Sequence, residues 1–225
     1  MHIEPGVVHG AKMVFAYGTA AAAAGYSLKL IADDLKERAA TSFVARSIAA
    51  TLGVFIFFEV LPHFPVGISE VHFILGTTLL LILGAAPAAV GLAAGLAIQG
   101  LLFAPSDVPM YFVNLTTLLV PLFGIHALAK RALPQNVAYV DLGYADVLKL
   151  SAAYQGGVIA WVAFWAFYGQ GFGAENMAAV GSFGMAYMLV VLVEPVFDLA
   201  VLAGAKSLKG LKDSGLVTSR LYHAA

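Results

Sequence analysis

Between residues 8 and 203 the sequence is a succession of apolar stretches, each close to the roughly 20 residues of helix that cross a hydrocarbon core of about 30 Å. They lie at 8–31, 42–61, 69–85, 87–104, 109–129, 147–168 and 177–203. Of the 225 residues only 11% are charged and 61% are hydrophobic, where a water-soluble domain carries about 25% and 45–50%. Water cannot surround that much apolar surface, so lipid must be most of the solvent. The prediction is an all-α, polytopic transmembrane helical bundle of about seven spans. Pro62, Pro65, Pro87, Pro105, Pro109 and Pro134 fall between the spans or at their ends, where proline disturbs a helix least. No linker, repeat or low-complexity tract divides the chain, so residues 1–225 are expected to form one membrane domain, with a tail at 204–225. No separate charged, cleavable segment is expected ahead of the first span.

The basic residues orient the bundle. Lys29, Lys36, Arg38 and Arg46 flank the first connection, Lys130, Arg131 and Lys149 the fifth, and Lys206, Lys209, Lys212 and Arg220 the tail. In a seven-span arrangement these eleven of the twelve Lys and Arg lie on one side, and only Lys12 lies towards the other. By the positive-inside rule the tail is cytoplasmic and the N-terminus is outside.

Several chemistries are excluded or disfavoured. With no cysteine there is no disulfide, thiolate metal site or cysteine nucleophile. A net charge of −1 gives no reason to expect nucleic acid. The sequence has no Gly-x-x-x-x-Gly-Lys-[Ser/Thr] loop, so nucleotide hydrolysis would have to reside on other proteins. What remains is a concentration of ligand-type side chains on the outer side: His2, His9, His63 and His72, with Glu4, Glu59, Glu70 and Asp107 at similar depth. Imidazole suits Ni, Co, Zn and Cu(II), and carboxylate adds harder ions. A single interfacial histidine is more often a hydrogen-bonding residue than a ligand, which is the default for His9 and His63.

His2 differs, because the α-amine of Met1, the amide nitrogen of His2 and its Nδ1 can form fused five- and six-membered chelate rings. Deprotonating an amide takes an ion high in the affinity order, such as Ni(II) or Cu(II), and leaves an in-plane position for a second imidazole. The amine must also lose its proton, so affinity should fall with acidity. The bulky second residue favours retention of Met1.

Met1-His-Ile-Glu-Pro-Gly6 resembles the Met-His-Ile-x-x-Gly start of the CbiM/NikM family, the substrate-binding membrane components of energy-coupling-factor transporters for cobalt and nickel. Ser69-Glu-Val-His72-Phe-Ile-Leu-Gly76 is similar to the family's Ser-rich, His-containing stretch, and Gly95-Leu-Ala-Ile-Gln99-Gly-Leu-Leu-Phe103 to its Gln-x-Leu-Leu-Phe helix. The three occur in the family's order, and the similarity covers most of the chain up to about residue 125. The resemblance implies Ni(II) or Co(II) as transported substrate, with no organic cofactor. It implies a metal held by Met1, His2 and His72. It further implies a transmembrane coupling subunit, two ATPase subunits and a small accessory membrane subunit as partners in a prokaryotic cytoplasmic membrane, and no enzymatic activity in this chain. Two departures stand out: Glu70-Val71 replace small hydroxyl residues, and Ala104-Pro-Ser-Asp-Val-Pro109 replaces a Gly- and Thr-containing loop after Phe103.

Around the ligands, Glu59, His63, Glu70 and Asp107 are candidates to orient an imidazole. Gln99 and Asn114 lie within spans, where unsatisfied amides are costly, and are expected to bond neighbouring helices; both are also candidates to support the ligands. Glu194 and Asp198, in the cytoplasmic half of the last span, are functional candidates with Lys149 or a partner's basic residue as counter-charge. Small residues at Ala16, Ala20 and Ala24 and at Ala45, Ala49 and Gly53 are expected to line helix contacts. Two other readings compete: an accessory subunit that keeps the fold without transport, and a haem- or quinone-binding subunit using His72 and His126. The latter two differ in depth by most of the bilayer.

Overall fold

The computed structural model describes residues 2–224, with the side chain of Lys209 outside that description. Among the described residues there are seven α-helices: α1 (Met13–Glu37), α2 (Ala40–Phe55), α3 (Gly76–Leu83), α4 (Ala85–Leu102), α5 (Tyr111–Ala132), α6 (Tyr144–Gln170) and α7 (Ala174–Ser207). A two-stranded hairpin, β1 (Phe64–Val66) and β2 (Ser69–Val71), lies between α2 and α3. Ala40–Val60, Ala85–Leu102, Pro105–Ala132, Tyr144–Gln170 and Ala174–Ser207 are long and apolar enough to cross a membrane. The less apolar α1 has 25 residues, or about 37 Å at 1.5 Å per residue. The chain is an all-α polytopic membrane protein.

Helix α2 packs on α4, α6 on α5 and α7 on α6. The first of these contacts is close because Gly91 and Gly95 of α4 face Ala50 and Val54 of α2, where a Cβ would collide. The side of α2 that makes this contact is therefore the one bearing Ala50 and Val54, both fully buried. The expected small-residue stripe at Ala45, Ala49 and Gly53 is turned away from it: Ala49 is exposed, and no atom lies within 4 Å of a Cβ built on Gly53. On α1, Ala16, Ala20 and Ala23 face the bundle, and Ala24 does not.

The third apolar stretch departs most from expectation. Residues 69–85 do not form a spanning helix. The chain runs through β2 and a stretch without regular structure to Leu75, then forms the eight residues of α3, about 12 Å of helix. Non-helical backbone at membrane depth is tolerated only where protein covers it, and here Ser69, His72, Ile74, Leu75 and Gly76 are all buried. The hairpin turn carries Gly67 at φ +63°, and a side chain there would strike the Ala179 carbonyl on α7. Gly84, at φ +93°, turns the chain from α3 directly into α4.

The tail is packed rather than trailing. Val217 and Leu221 are buried, Ser42 Oγ donates to the Gly215 carbonyl at 2.6 Å, and the Thr218 amide donates to the Ile82 carbonyl at 2.8 Å. The Leu83 carbonyl next to it accepts from Arg46 at 2.7 Å. The C-terminal carbonyls of α3, left without intrahelical partners, are thus satisfied by the tail and by α2.

Candidate metal centre

The N-terminal segment is held beside β2 as a short extra strand. Ile3 forms an antiparallel bridge with Ser69; the Glu70 amide donates to the His2 carbonyl and the Glu4 amide to the Ile68 carbonyl, each at 3.0 Å. Ser69 Oγ adds a 3.0 Å bond to the same His2 carbonyl. From α5, Asn114 Oδ1 accepts the Ile3 amide at 2.8 Å. Residues two apart on a strand point to one face, so Glu70 and His72 emerge together, towards His2.

His2 and His72 are each only 2% exposed. Their ring centroids lie 5.4 Å apart with 35° between the planes. Phe58, fully buried, packs against both, at 5.8 Å and 4.5 Å. It projects from the π-helical turn Ile56–Val60 that ends the second span; such widened turns are frequent at functional sites. One donor atom from each of His2, Glu70 and His72 falls within 4.8 Å of the others.

The hydrogen bonds fix the tautomers. His72 Nδ1 is 2.9 Å from the Phe73 carbonyl, which can only accept, so Nδ1 carries the proton. His2 Nδ1 is 2.7 Å from Glu70 Oε2 and donates in the same way. Burial holds the His2 imidazolium below its ordinary pKa, against the pull of Glu70. Burial pushes the Glu70 carboxyl up, but the His2 hydrogen bond and nearby positive charge bring it below its ordinary value. A neutral imidazole therefore faces a charged carboxylate at neutral pH. Both Nε2 atoms carry lone pairs, and among the described residues both are buried with no hydrogen-bond partner. Leaving one polar atom unsatisfied in an interior costs about 1–3 kcal/mol. Two buried imidazoles that meet in this way, each with one ring nitrogen hydrogen-bonded and the other unpartnered among the described residues, could serve as ligands of a metal ion.

The other sequence candidates distribute around this pair. Met1 lies outside the described residues. Asn114 anchors the N-terminal strand. Asp107, in the 3-10 turn Pro105–Met110 and bonded by Ser106 at 3.2 Å, lies near enough that its charge, with that of Glu70, adds to burial in raising the pKa of Glu4. Glu4, Glu70 and Asp107 thus place negative charge close together on this side of the protein. Gln99 is buried on α4 with its Oε1 unpartnered among the described residues. Glu59 and His63 make no hydrogen bond to His2, Glu70 or His72; the His63 ring sits 3.2 Å from the Leu61 carbonyl. His9 is exposed, beside the Gly6 carbonyl at 3.0 Å. His126, on α5, lines a cavity of about 480 Å³ with Asp34, Lys130 and Arg220, beside Gly84 at the end of α3, and shares no site with His72.

Two residues near the site have roles the sequence did not reveal. Phe58 is one apolar residue among many, and nothing in its neighbours singles it out. Glu194 stood out as an intramembrane carboxylate, but its partners are backbone amides and Gln155 rather than Lys149. Lys149 pairs with Asp146 at the surface, 3.4 Å away. Asp198, 2% exposed, bonds the Thr78 hydroxyl at 2.5 Å.

A family model described as the cobalt uptake substrate-specific transmembrane region matches residues 2–209. No curated protein matches the chain. A crystal structure described as a truncated transition metal transporter superposes with a TM-score of 0.64 at 18% identity, covering 94% of this chain and 98% of that one. At that identity the likeness is one of fold. The family match extends over nearly the whole sequence, well beyond the short motifs at the N-terminus and around residue 72: the chain belongs to the CbiM family, and it is a membrane component of metal uptake rather than an enzyme.

Proposed function

We propose that this chain is the substrate-binding subunit of an energy-coupling-factor transporter, capturing Co(II) or Ni(II) at the His2–His72 pair. The N-terminus faces outside and the tail the cytoplasm, as the distribution of Lys and Arg favours. The observation that carries the reading is the meeting of two buried imidazoles 5.4 Å apart, that of His72 with its Nε2 unpartnered among the described residues, contributed by residues 70 positions apart and brought together by the strand that residue 3 forms with residue 69. Imidazole nitrogen suits both metals, and the carboxylates of Glu4, Glu70 and Asp107 favour approach of a dication. The Met1 amine supplies a further nitrogen next to His2. A chelate through Nδ1 of His2 takes that nitrogen over from Glu70, which is then the nearest acceptor for the proton released. ATP hydrolysis belongs to two partner ATPases, acting through a transmembrane coupling subunit, with a small accessory membrane subunit completing the assembly.

Extension of the chain by one residue ahead of Met1 tests the amine. The extended protein keeps both imidazoles but displaces the α-amine, and titration calorimetry with Co(II) in detergent should show affinity lowered on the order of a hundredfold. The unextended protein should bind more tightly at pH 8 than at pH 6, because an amine of reference pKa about 7.7–8.0 must lose its proton first. Most of that pH dependence should vanish in the extended form. Equal affinity and equal pH dependence in the two forms would remove the amine from the site.

A further inference from the structure

The segment that carries His72 has no regular structure of its own between β2 and α3. Its conformation is over-determined from one direction. Leu75, the residue before α3, adopts the left-handed region at φ +56°, and its side chain caps nothing. The amides of Ile74 and Leu75 would be left without partners at the buried start of a half-helix, where the peptide dipoles place partial positive charge. Glu194 of α7 takes both: its Oε1 accepts the Ile74 amide and, at 3.1 Å, the Leu75 amide. The other oxygen accepts from Gln155 Nε2. Gln155 Oε1 in turn accepts the Tyr187 hydroxyl at 2.5 Å. Glu194 is 1% exposed, and Gln155 and Tyr187 are fully buried. One turn further along α7, Asp198 holds the Thr78 hydroxyl.

We infer that Glu194 is the positioning residue of the metal centre: its carboxylate, braced by Gln155 and Tyr187, pins the backbone two and three residues beyond His72 and so fixes where the His72 ring points. The inference rests on the proposed metal site, but concerns a residue that touches no ligand atom. The rigidity is needed because an imidazole in a mobile loop loses the alignment of its lone pair with that of its partner. Outer groups that orient ligands are commonly worth 10–100-fold in metal affinity. The mechanism is reach, not charge. An amide side chain of the same length still presents one acceptor oxygen to residues 74 and 75, and its NH2 can donate to Gln155 once that amide turns over and donates to the Tyr187 oxygen, whereas a carboxylate one methylene shorter does not reach them.

The experiment compares Glu194→Ala, Glu194→Gln and Glu194→Asp with the parent protein, using Co(II) alone as probe. Each is checked for helix content and for monodispersity in detergent, then read by affinity and by the visible d–d spectrum of the bound metal. The expected order is parent, then Gln within about tenfold, then Asp and Ala weaker by about 10–100-fold with a shifted spectrum. If Glu194→Ala fails to fold, the Asp and Gln pair decides. Asp binding like the parent while Gln binds poorly would mean that charge matters rather than reach, and would overturn the inference. So would parental affinity and spectrum in all folded variants. If the parent itself binds no Co(II), it is the proposed metal site that fails, before Glu194 is tested.

Discussion

Replacing His72 by alanine should lower affinity for Co(II) or Ni(II) on the order of a thousandfold, about 4 kcal/mol, while the protein remains folded. The ring is one of the two buried imidazoles in the cluster of His2, Glu70 and His72, whose third member is a carboxylate. Glu70 can offer oxygen, but a lone carboxylate beside one histidine is a poor substitute for ions that favour nitrogen. Little stability is at stake in comparison. The substitution removes ring packing against Phe58 and the hydrogen bond to the Phe73 carbonyl, but it also removes a buried Nε2 that, among the described residues, has no hydrogen-bond partner. His2→Ala should match it in affinity. Competition with a chromophoric chelator measures both, and thermal unfolding in detergent separates lost ligand from lost fold. Parental affinity in His72→Ala would discard the proposed centre.

Arg46→Ala should act in the opposite sense, on the fold before the site. Arg46 is fully buried. Its guanidinium donates twice to Asp34 of α1, at 3.0 and 2.6 Å, and once to the Leu83 carbonyl that ends α3. Its Nε donates to Ser42 at 3.2 Å. One planar group thus joins α1, α2 and the end of the half-helix, and it places positive charge where the peptide dipoles of α3 accumulate negative charge. Removing the guanidinium strands the buried Leu83 carbonyl and leaves Asp34, itself partly open to solvent, without its partner, at a cost of about 1–3 kcal/mol. Lysine should not restore it, since a single ammonium cannot reproduce the bidentate geometry. The measurement is the unfolding midpoint in detergent, with Asp34→Asn as a companion. A midpoint unchanged in Arg46→Ala would show that the α3 end is held by other contacts.

These two variants mark what was legible in the sequence. The bundle was readable because apolar length is a local property, and α4, α5, α6 and α7 cover the stretches expected of them. The third stretch was not. Residues 69–85 have the composition of a span, yet β2, Leu75 and α3 divide it, and what makes the division possible lies far away in sequence, at Glu194 and Arg46. Arg46 read as one more basic residue near a membrane edge, when it is a buried strut. His2 and His72 stood out by residue type and motif. Their meeting was implied only by the family resemblance, because the contacts that produce it, the Ile3–Ser69 bridge and the Asn114 bond, run across 66 and 111 positions. Asn114, a candidate either to bond a neighbouring helix or to support the site, bonds the N-terminal strand beside His2.

The most direct measurement is the X-ray absorption spectrum of the protein loaded with one equivalent of Co(II) or Ni(II), its native N-terminus unextended. Two imidazole rings should appear in the scattering beyond the first coordination shell, falling to one in His72→Ala. A shell of oxygen ligands with no imidazole signature, identical in the parent and in His72→Ala, would place the metal elsewhere and contradict the account.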